Sequence, residues 1–234
     1  MGKIRFKFIR GEQVKYISHL DMMKTFERAI RRANIPVKYS QGFNPHPQLV
    51  FGLPLSVGVT SEAEYADIEI DGELAPSVFL QQLNTQLPEG LKVTDAKESR
   101  AKSNIMASVA FASYDIFIKT GLDALELQEK LDEFMKSESV VVKKESKSKV
   151  RDVDIKPMIH RLELTNYEKG KSTVCISAFL SAGSSANLKP ELLFSALKEK
   201  SMPDIRLAGI HRTGLFISGK GKMVDPLDPD VLKG

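Results

Sequence analysis

Three side chains in this sequence have the types and spacing for acid–base chemistry. His19 and Asp21 stand two apart in Ser18-His-Leu-Asp21, and His46 sits between Pro45 and Pro47. Imidazole is the group most easily used for proton transfer near neutral pH, and a neighbouring carboxylate can orient its ring. If the elements around them pair, His19, Asp21 and His46 form a set suited to metal-free RNA cleavage or to holding one metal. They are the catalytic candidates. The competing uses are a satisfied, partly buried His19 and a His46 that belongs to a rigid turn. Asp152 and Asp154 alternate with Val153 and Ile155, so both project from one face of an extended segment. Paired carboxylates can bind Mg²⁺, but Lys149, Arg151 and Lys156 flank them and favour ion pairing. The single Cys175 excludes a disulfide framework and a Cys-based zinc site within one chain. Its Thr-Val-Cys-Ile-Ser context reads as a strand, with the thiol as a small core group. Gly209, Gly214, Gly219 and Gly221 crowd the C-terminal end beside His211, Arg212, Lys220 and Lys222, without the GxxxxGK[ST] pattern of a phosphate loop. No metal site and no cofactor are expected.

The cations carry a second kind of chemistry. Net charge is +4. Residues 1–51 hold ten Lys or Arg against three acids, whereas residues 52–100 hold three against nine. One end is thus strongly basic, which points to an anionic partner. At 100° per residue over the stretch after Ser18, Met22, Met23, Phe26, Ala29, Ile30 and Ala33 fall on one side. Lys24, Arg28, Arg31 and Arg32 fall on the other, diluted only by Glu27. A helix built for solubility usually mixes signs to gain i,i+4 pairs. The four cations therefore read as one ridge, which Arg5 and Lys7 of the preceding strand extend. These six are the candidate RNA-binding residues. Lys143, Lys144, Lys147, Lys149 and Arg151 form a second basic cluster.

The positioning elements follow from periodicity. Ile4–Ile9 alternates and reads as a strand. Ser18 is an N-cap, Asp21 suits the first turn, and Pro36 stops the helix. In the loop Gly42-Phe43-Asn44-Pro45-His46-Pro47, Gly42 permits positive φ, and each proline stiffens its neighbours. Strands are expected near 49–52 and 64–70, the second with its acids outward. A helix follows at 76–87 and a strand at 91–94. Residues 99–107 read as a polar linker. Beyond it come a strand at 112–119, a helix at 123–136, extended segments between 139 and 180, a helix at 189–200 and one or two strands over 205–218. The expectation is an α+β chain of two tandem ferredoxin-like (βαββαβ) halves with mainly antiparallel sheets. The first half spans residues 1–100, the second 108–220, and a loose tail runs over 221–234.

The strings SHLD (18–21), RAIRRA (28–33) and, above all, SQGFNPHP (40–47) resemble the family of radical SAM-linked proteins, whose members are encoded beside or fused to a radical S-adenosylmethionine protein. The likeness is strongest over residues 3–70 and continues to Arg151–Pro157. It implies a cytoplasmic bacterial protein that works with a radical SAM enzyme on RNA, and it assigns no catalytic residues. One cysteine cannot supply the three thiolates of that enzyme's cluster. No apolar run nears 18 residues, so no membrane span is expected, and the opening charged strand is not a secretory segment.

Three functions compete. The first is a non-catalytic RNA-binding accessory protein for tRNA or rRNA, partnered by a radical SAM enzyme. The second is a metal-independent RNA endonuclease or RNA-modifying enzyme using His46 and His19. The third is a scaffold whose 42–47 loop grips the radical SAM partner without touching RNA.

Overall fold

The computed structural model describes residues 2–146, 149–166, 173–219 and 222–233. Lys147 of the second basic cluster, and Lys220 and Gly221 of the glycine-rich end, lie outside the described residues. The structure mixes α and β with mainly antiparallel pairing and divides into two units. Residues 1–111 and 212–234 form one unit, and residues 112–211 form the other.

The first unit opens with β1 (Gly2–Arg10) and α1 (His19–Arg32). Next come β2 (Leu49–Phe51), β3 (Thr60–Ile70), α2 (Pro76–Asn84), β4 (Leu91–Glu98) and a single turn of helix, α3 (Ile105–Ser108). β1 pairs antiparallel with both β3 and β4, and β2 pairs antiparallel with β3. Phe6, Phe8, Phe26, Phe51 and Phe79 form the centre of the core, with ring centroids 4.9 to 6.0 Å apart. Edge and tilted contacts at that spacing add to the gain from burial.

α1 forms because its ends are satisfied and one stripe is apolar. The amide of Asp21 donates to Ser18 Oγ at 3.1 Å, and the Ser18 hydroxyl donates to Asp21 Oδ2 at 2.7 Å. Met22, Phe26, Ala29 and Ile30 are buried. Asn34 takes the left-handed conformation at φ 52°, and the amide of Ile35 donates to the Ile30 carbonyl at 3.2 Å. This is how a helix end satisfies its last carbonyls.

The second unit holds most of β5 (Val109–Lys119), then α4 (Ala124–Lys136), β6 (Val141–Ser146), β7 (Lys149–Asp154), β8 (Ile159–Asn166), β9 (Thr173–Ser181) and α5 (Pro190–Lys200). Asp123 and Glu126 cap α4 reciprocally, and Leu127, Leu131 and Phe134 are its buried side. β8 and β9 pair antiparallel, whereas β6 and β7 form a separate two-stranded sheet. β10 (Arg206–Gly219) divides between the units: residues 206–211 belong to the second and 212–219 to the first.

Two expectations give way here. The 99–107 segment is not a polar linker. Ala101 and Ile105 are buried, Asn104 caps α3, and the Ser99 amide donates to the Lys3 carbonyl at 2.8 Å. The segment from 222 is not a loose tail either. β11 (Lys222–Val224) pairs with β10, and α6 (Pro229–Leu232) follows. Leu227 is buried, and the Leu232 carbonyl accepts the Arg100 amide at 2.7 Å. Both segments owe their order to partners far away in sequence, which short elements without periodicity cannot advertise.

Candidate nucleic-acid interface

The expected basic ridge separates into two populations. Lys24, Arg28 and Arg31 are exposed on one face of α1, and among the described residues none forms an ion pair. Arg32 is exposed too, but its guanidinium donates to Gln86 at the end of α2, at 2.7 Å to the carbonyl and 3.3 Å to Oε1. Arg32 therefore fastens one helix to the other.

Arg5 is not a surface cation. It is 0% exposed and makes a two-pronged pair with Asp67, Nε to Oδ1 at 2.7 Å and Nη2 to Oδ2 at 2.9 Å. Its remaining Nη1 donates to the Pro226 carbonyl at 3.2 Å, and Asp67 Oδ2 also accepts the Ile105 amide at 2.8 Å. The C-terminal segment and α3 thus close over a sheet face that the alternation of β1 had suggested was open. Lys7 is half-buried, with its ammonium 5.8 Å from the centre of the Tyr65 ring. Asp95, Asp225 and Asp228 line the same groove as Lys7 and Lys97. A phosphate backbone has no reason to favour that groove. Arg5 and Lys7 accordingly leave the candidate interface.

Of the β3 acids expected to face outward, two turn inward. Glu64 and Asp67 are buried. Glu64 Oε1 accepts from Arg212 Nη1 at 2.7 Å, and that guanidinium also reaches the carbonyls of Leu53 and Pro54. Arg10, likewise buried, donates to the carbonyls of Lys15 (2.9 Å), Ile17 (2.6 Å), Val14 and Leu55. It thereby fixes the chain just before α1. Tyr65 gives its hydroxyl proton to Asp225 at 2.7 Å, and burial together with that carboxylate keeps the phenol protonated. The cross-strand register sets Arg5 opposite Asp67, and nothing local in the sequence announces this polar layer.

Two of the three acid–base candidates have structural employment. Asp21 is bound to the Ser18 cap. His19 is half-buried and meets the Phe51 ring edge-on, with centroids 5.7 Å apart. Burial pushes its imidazole below the ordinary range, Glu64 opposes this, and Arg10 reinforces it. His46 is exposed, and among the described residues no hydrogen bond links it to His19 or Asp21. In the second unit Asp154 accepts the amides of Val140 and Lys156, which hold its carboxyl below the usual range. Asp152 lies opposite Lys143 in the β6–β7 ladder. Both carboxylates thus have neighbours other than a metal. Cys175 is buried, as its context suggested, and burial pushes its thiol up.

The loop before β2 is well tied at its base. The Ser40 amide donates to the His46 carbonyl at 2.8 Å, and the His46 amide donates to Ser40 Oγ at 3.0 Å. Tyr39 bridges to Pro47, and the Gln48 amide donates to the Lys38 carbonyl at 2.8 Å. Gly42 sits at φ +136°, and residues 41–46 are exposed.

Residues 3–190, which include both the α1 ridge and this loop, match the model of the family described as "Uncharacterized protein conserved in bacteria (DUF2344)". The chain belongs to that family. No curated protein matches it. Among solved structures, this DUF2344 protein is similar to a chain of a Cbf5-Nop10-Gar1 complex at 11% identity and a TM-score of 0.53, covering 91% of the DUF2344 chain and 48% of the other. An archaeal box H/ACA sRNP Nop10-Cbf5 complex gives 11% identity and a TM-score of 0.46, over 90% and 46% of the two chains. A protein from Galdieria sulphuraria gives 10% identity and a TM-score of 0.26, over 88% and 96%. The DUF2344 chain spans about half the length of the first two. At such identity the first likeness speaks to fold alone. Among the described residues no helix is long and apolar enough to cross a membrane.

Proposed function

We propose that this DUF2344 protein binds RNA through the exposed face of α1 and does not itself act on the RNA. The observation that carries this reading is the trio Lys24, Arg28 and Arg31. They are exposed, and no acid on the same helix face pairs with them. Arg31 in the last turn suits the helix dipole, but Lys24 and Arg28 gain no i,i+4 partner on the helix. Such a stripe suits a polyanion, whose condensed counterions are released on contact. His19 and Asp21 are occupied by Phe51 and Ser18, which favours a binding role over cleavage.

We read both units as ferredoxin-like halves. The first runs strand–helix–strand–strand–helix–strand through β1, α1, β2, β3, α2 and β4. The second does so through β5, α4, β8, β9, α5 and β10, with the β6–β7 hairpin as an insertion. Our reading keeps the partner as a radical SAM enzyme, the RNA as tRNA or rRNA, and the setting as the bacterial cytoplasm, on the strength of the SHLD, RAIRRA and SQGFNPHP strings.

The test is a salt titration of RNA binding. The logarithm of affinity should fall linearly with the logarithm of salt. Arg28→Ala with Arg31→Ala should weaken binding to all sequences and flatten the slope by about 1.5. An unchanged slope in a normally melting double variant would reduce the ridge to a solvated surface and leave the scaffold reading.

A further inference from the structure

The chain has twelve phenylalanines, and Phe43 alone is fully exposed, at 106%. It stands at the tip of the loop whose base is tied by Ser40, His46 and Gln48. Tyr39, 40% exposed, and the exposed His46 belong to the same loop. Three ring-bearing side chains thus face water on a segment that the prolines and the Ser40–His46 bonds hold in shape. A ring held out in this way forgoes burial. A partner with flat apolar faces would recover it.

Charge narrows the partner. No Asp or Glu occurs between Glu27 and Glu62, whereas Arg28, Arg31, Arg32 and Lys38 lie in that stretch. The loop follows α1 closely, since Asn34 turns the chain and Val37 bridges to Ile70 of β3. Lys38 pairs with Glu69 at 3.9 Å and Arg32 holds Gln86, which leaves Arg28 and Arg31 unpaired among the described residues. Exposed rings beside those two cations match a single strand, which offers free base faces and phosphates together. A duplex offers phosphates, but its base faces are already stacked.

Resting on the RNA reading above, we propose that Phe43, flanked by Tyr39 and His46, stacks on the bases of an unpaired RNA segment whose phosphates lie along Lys24, Arg28 and Arg31. The ligand class is single-stranded RNA.

The experiment uses the full chain. It contains no Trp, so Phe43→Trp introduces a single indole at the loop tip. The probes are oligouridylate and oligoadenylate of about 12 nucleotides, within the site sizes of single-strand binders, and a duplex of the two. Indole fluorescence should be quenched by either single strand and unaffected by the duplex. Phe43→Ala should lower single-strand affinity about tenfold without moving duplex affinity or melting temperature. Phe43→Tyr should retain affinity, and Phe43→Leu should not. Equal quenching by duplex and single strand would overturn the proposal, as would no quenching or an unchanged affinity in Phe43→Ala. If Phe43→Ala is silent while the Arg28 and Arg31 double variant is weakened, RNA binding stands, stacking is wrong, and the ring is left for a protein partner. If neither variant changes binding, both readings fall.

Discussion

Arg5, Arg10 and Arg212 share a side chain with Arg28 and Arg31, yet the first unit uses the two sets in opposite ways. The first three are buried and surrounded by acceptors: a carboxylate for Arg5 and Arg212, and a cradle of four backbone carbonyls for Arg10. The last two stand in water without an ion-pair partner among the described residues. A buried guanidinium costs several kcal/mol in lost solvation unless every donor is met, so its surroundings have to be built for it. An exposed guanidinium makes no such demand and is free to meet a partner. The difference teaches that charge type locates neither the fold's polar layer nor its binding face; the acceptors nearby decide.

Breaking the buried set should have the largest effect. Arg212→Ala leaves Glu64 buried without its hydrogen-bonded partner, and should destabilise the protein by about 3–5 kcal/mol in denaturant unfolding. Arg5→Ala should do the same through Asp67. Replacing that pair together, Arg5→Met with Asp67→Leu, should cost less than Arg5→Ala alone, because no charge is then stranded. A cost under about 1 kcal/mol for Arg212→Ala, the range of a surface pair, would erase the contrast.

Phe26→Ala reports on the apolar stripe opposite the exposed arginines. The ring is 0% exposed, and its removal should cost about 3–5 kcal/mol. Ser18→Ala should cost about 1 kcal/mol, because it removes the acceptor of the Asp21 amide. For the exposed set, Arg28→Ala with Arg31→Ala should change stability by about 0.5 kcal/mol or less per site, while the salt slope of RNA binding flattens.

The smallest effect concerns His19. Because burial holds its folded pKa down, the unfolded chain binds a proton that the folded chain resists. Stability is therefore full above the imidazole's ordinary range and is lost as pH falls through it. The drop in melting temperature between about pH 7.5 and 5.5, which brackets the ordinary His pKa, should be smaller in His19→Gln. An equal drop would assign the acid sensitivity to other groups.

Legibility in the sequence followed the range of the interactions. Ser18, Asp21, the Met22–Phe26–Ile30 stripe and the stop before Pro36 are local features, and α1 falls where they place it. α4 and α5, with Leu127, Leu131, Leu193 and Leu197 inward, were legible for the same reason. The alternation of β1 sets Ile4, Phe6 and Phe8 on one face, and that face is buried. The opposite face was misassigned, because alternation says which residues share a face and not what covers it. The exposed trio Lys24, Arg28 and Arg31 was readable from the helical wheel. Arg32 lost its freedom to Gln86, far along the chain.

What the chain determined by itself is thus the longer helices and strands, the apolar side of each, and the stiffness of the loop between Ser40 and Pro47. Each follows from caps, periodicity, glycine and proline acting over a few residues. Only the tertiary structure decided that Arg5 meets Asp67 and Pro226, that Arg212 meets Glu64, and that the last residues close over the sheet beside Tyr65. The physical reason is that desolvation is a property of the surroundings. The same alternating strand serves an open basic face or a buried ionic layer, and residues more than sixty or two hundred positions away choose between them.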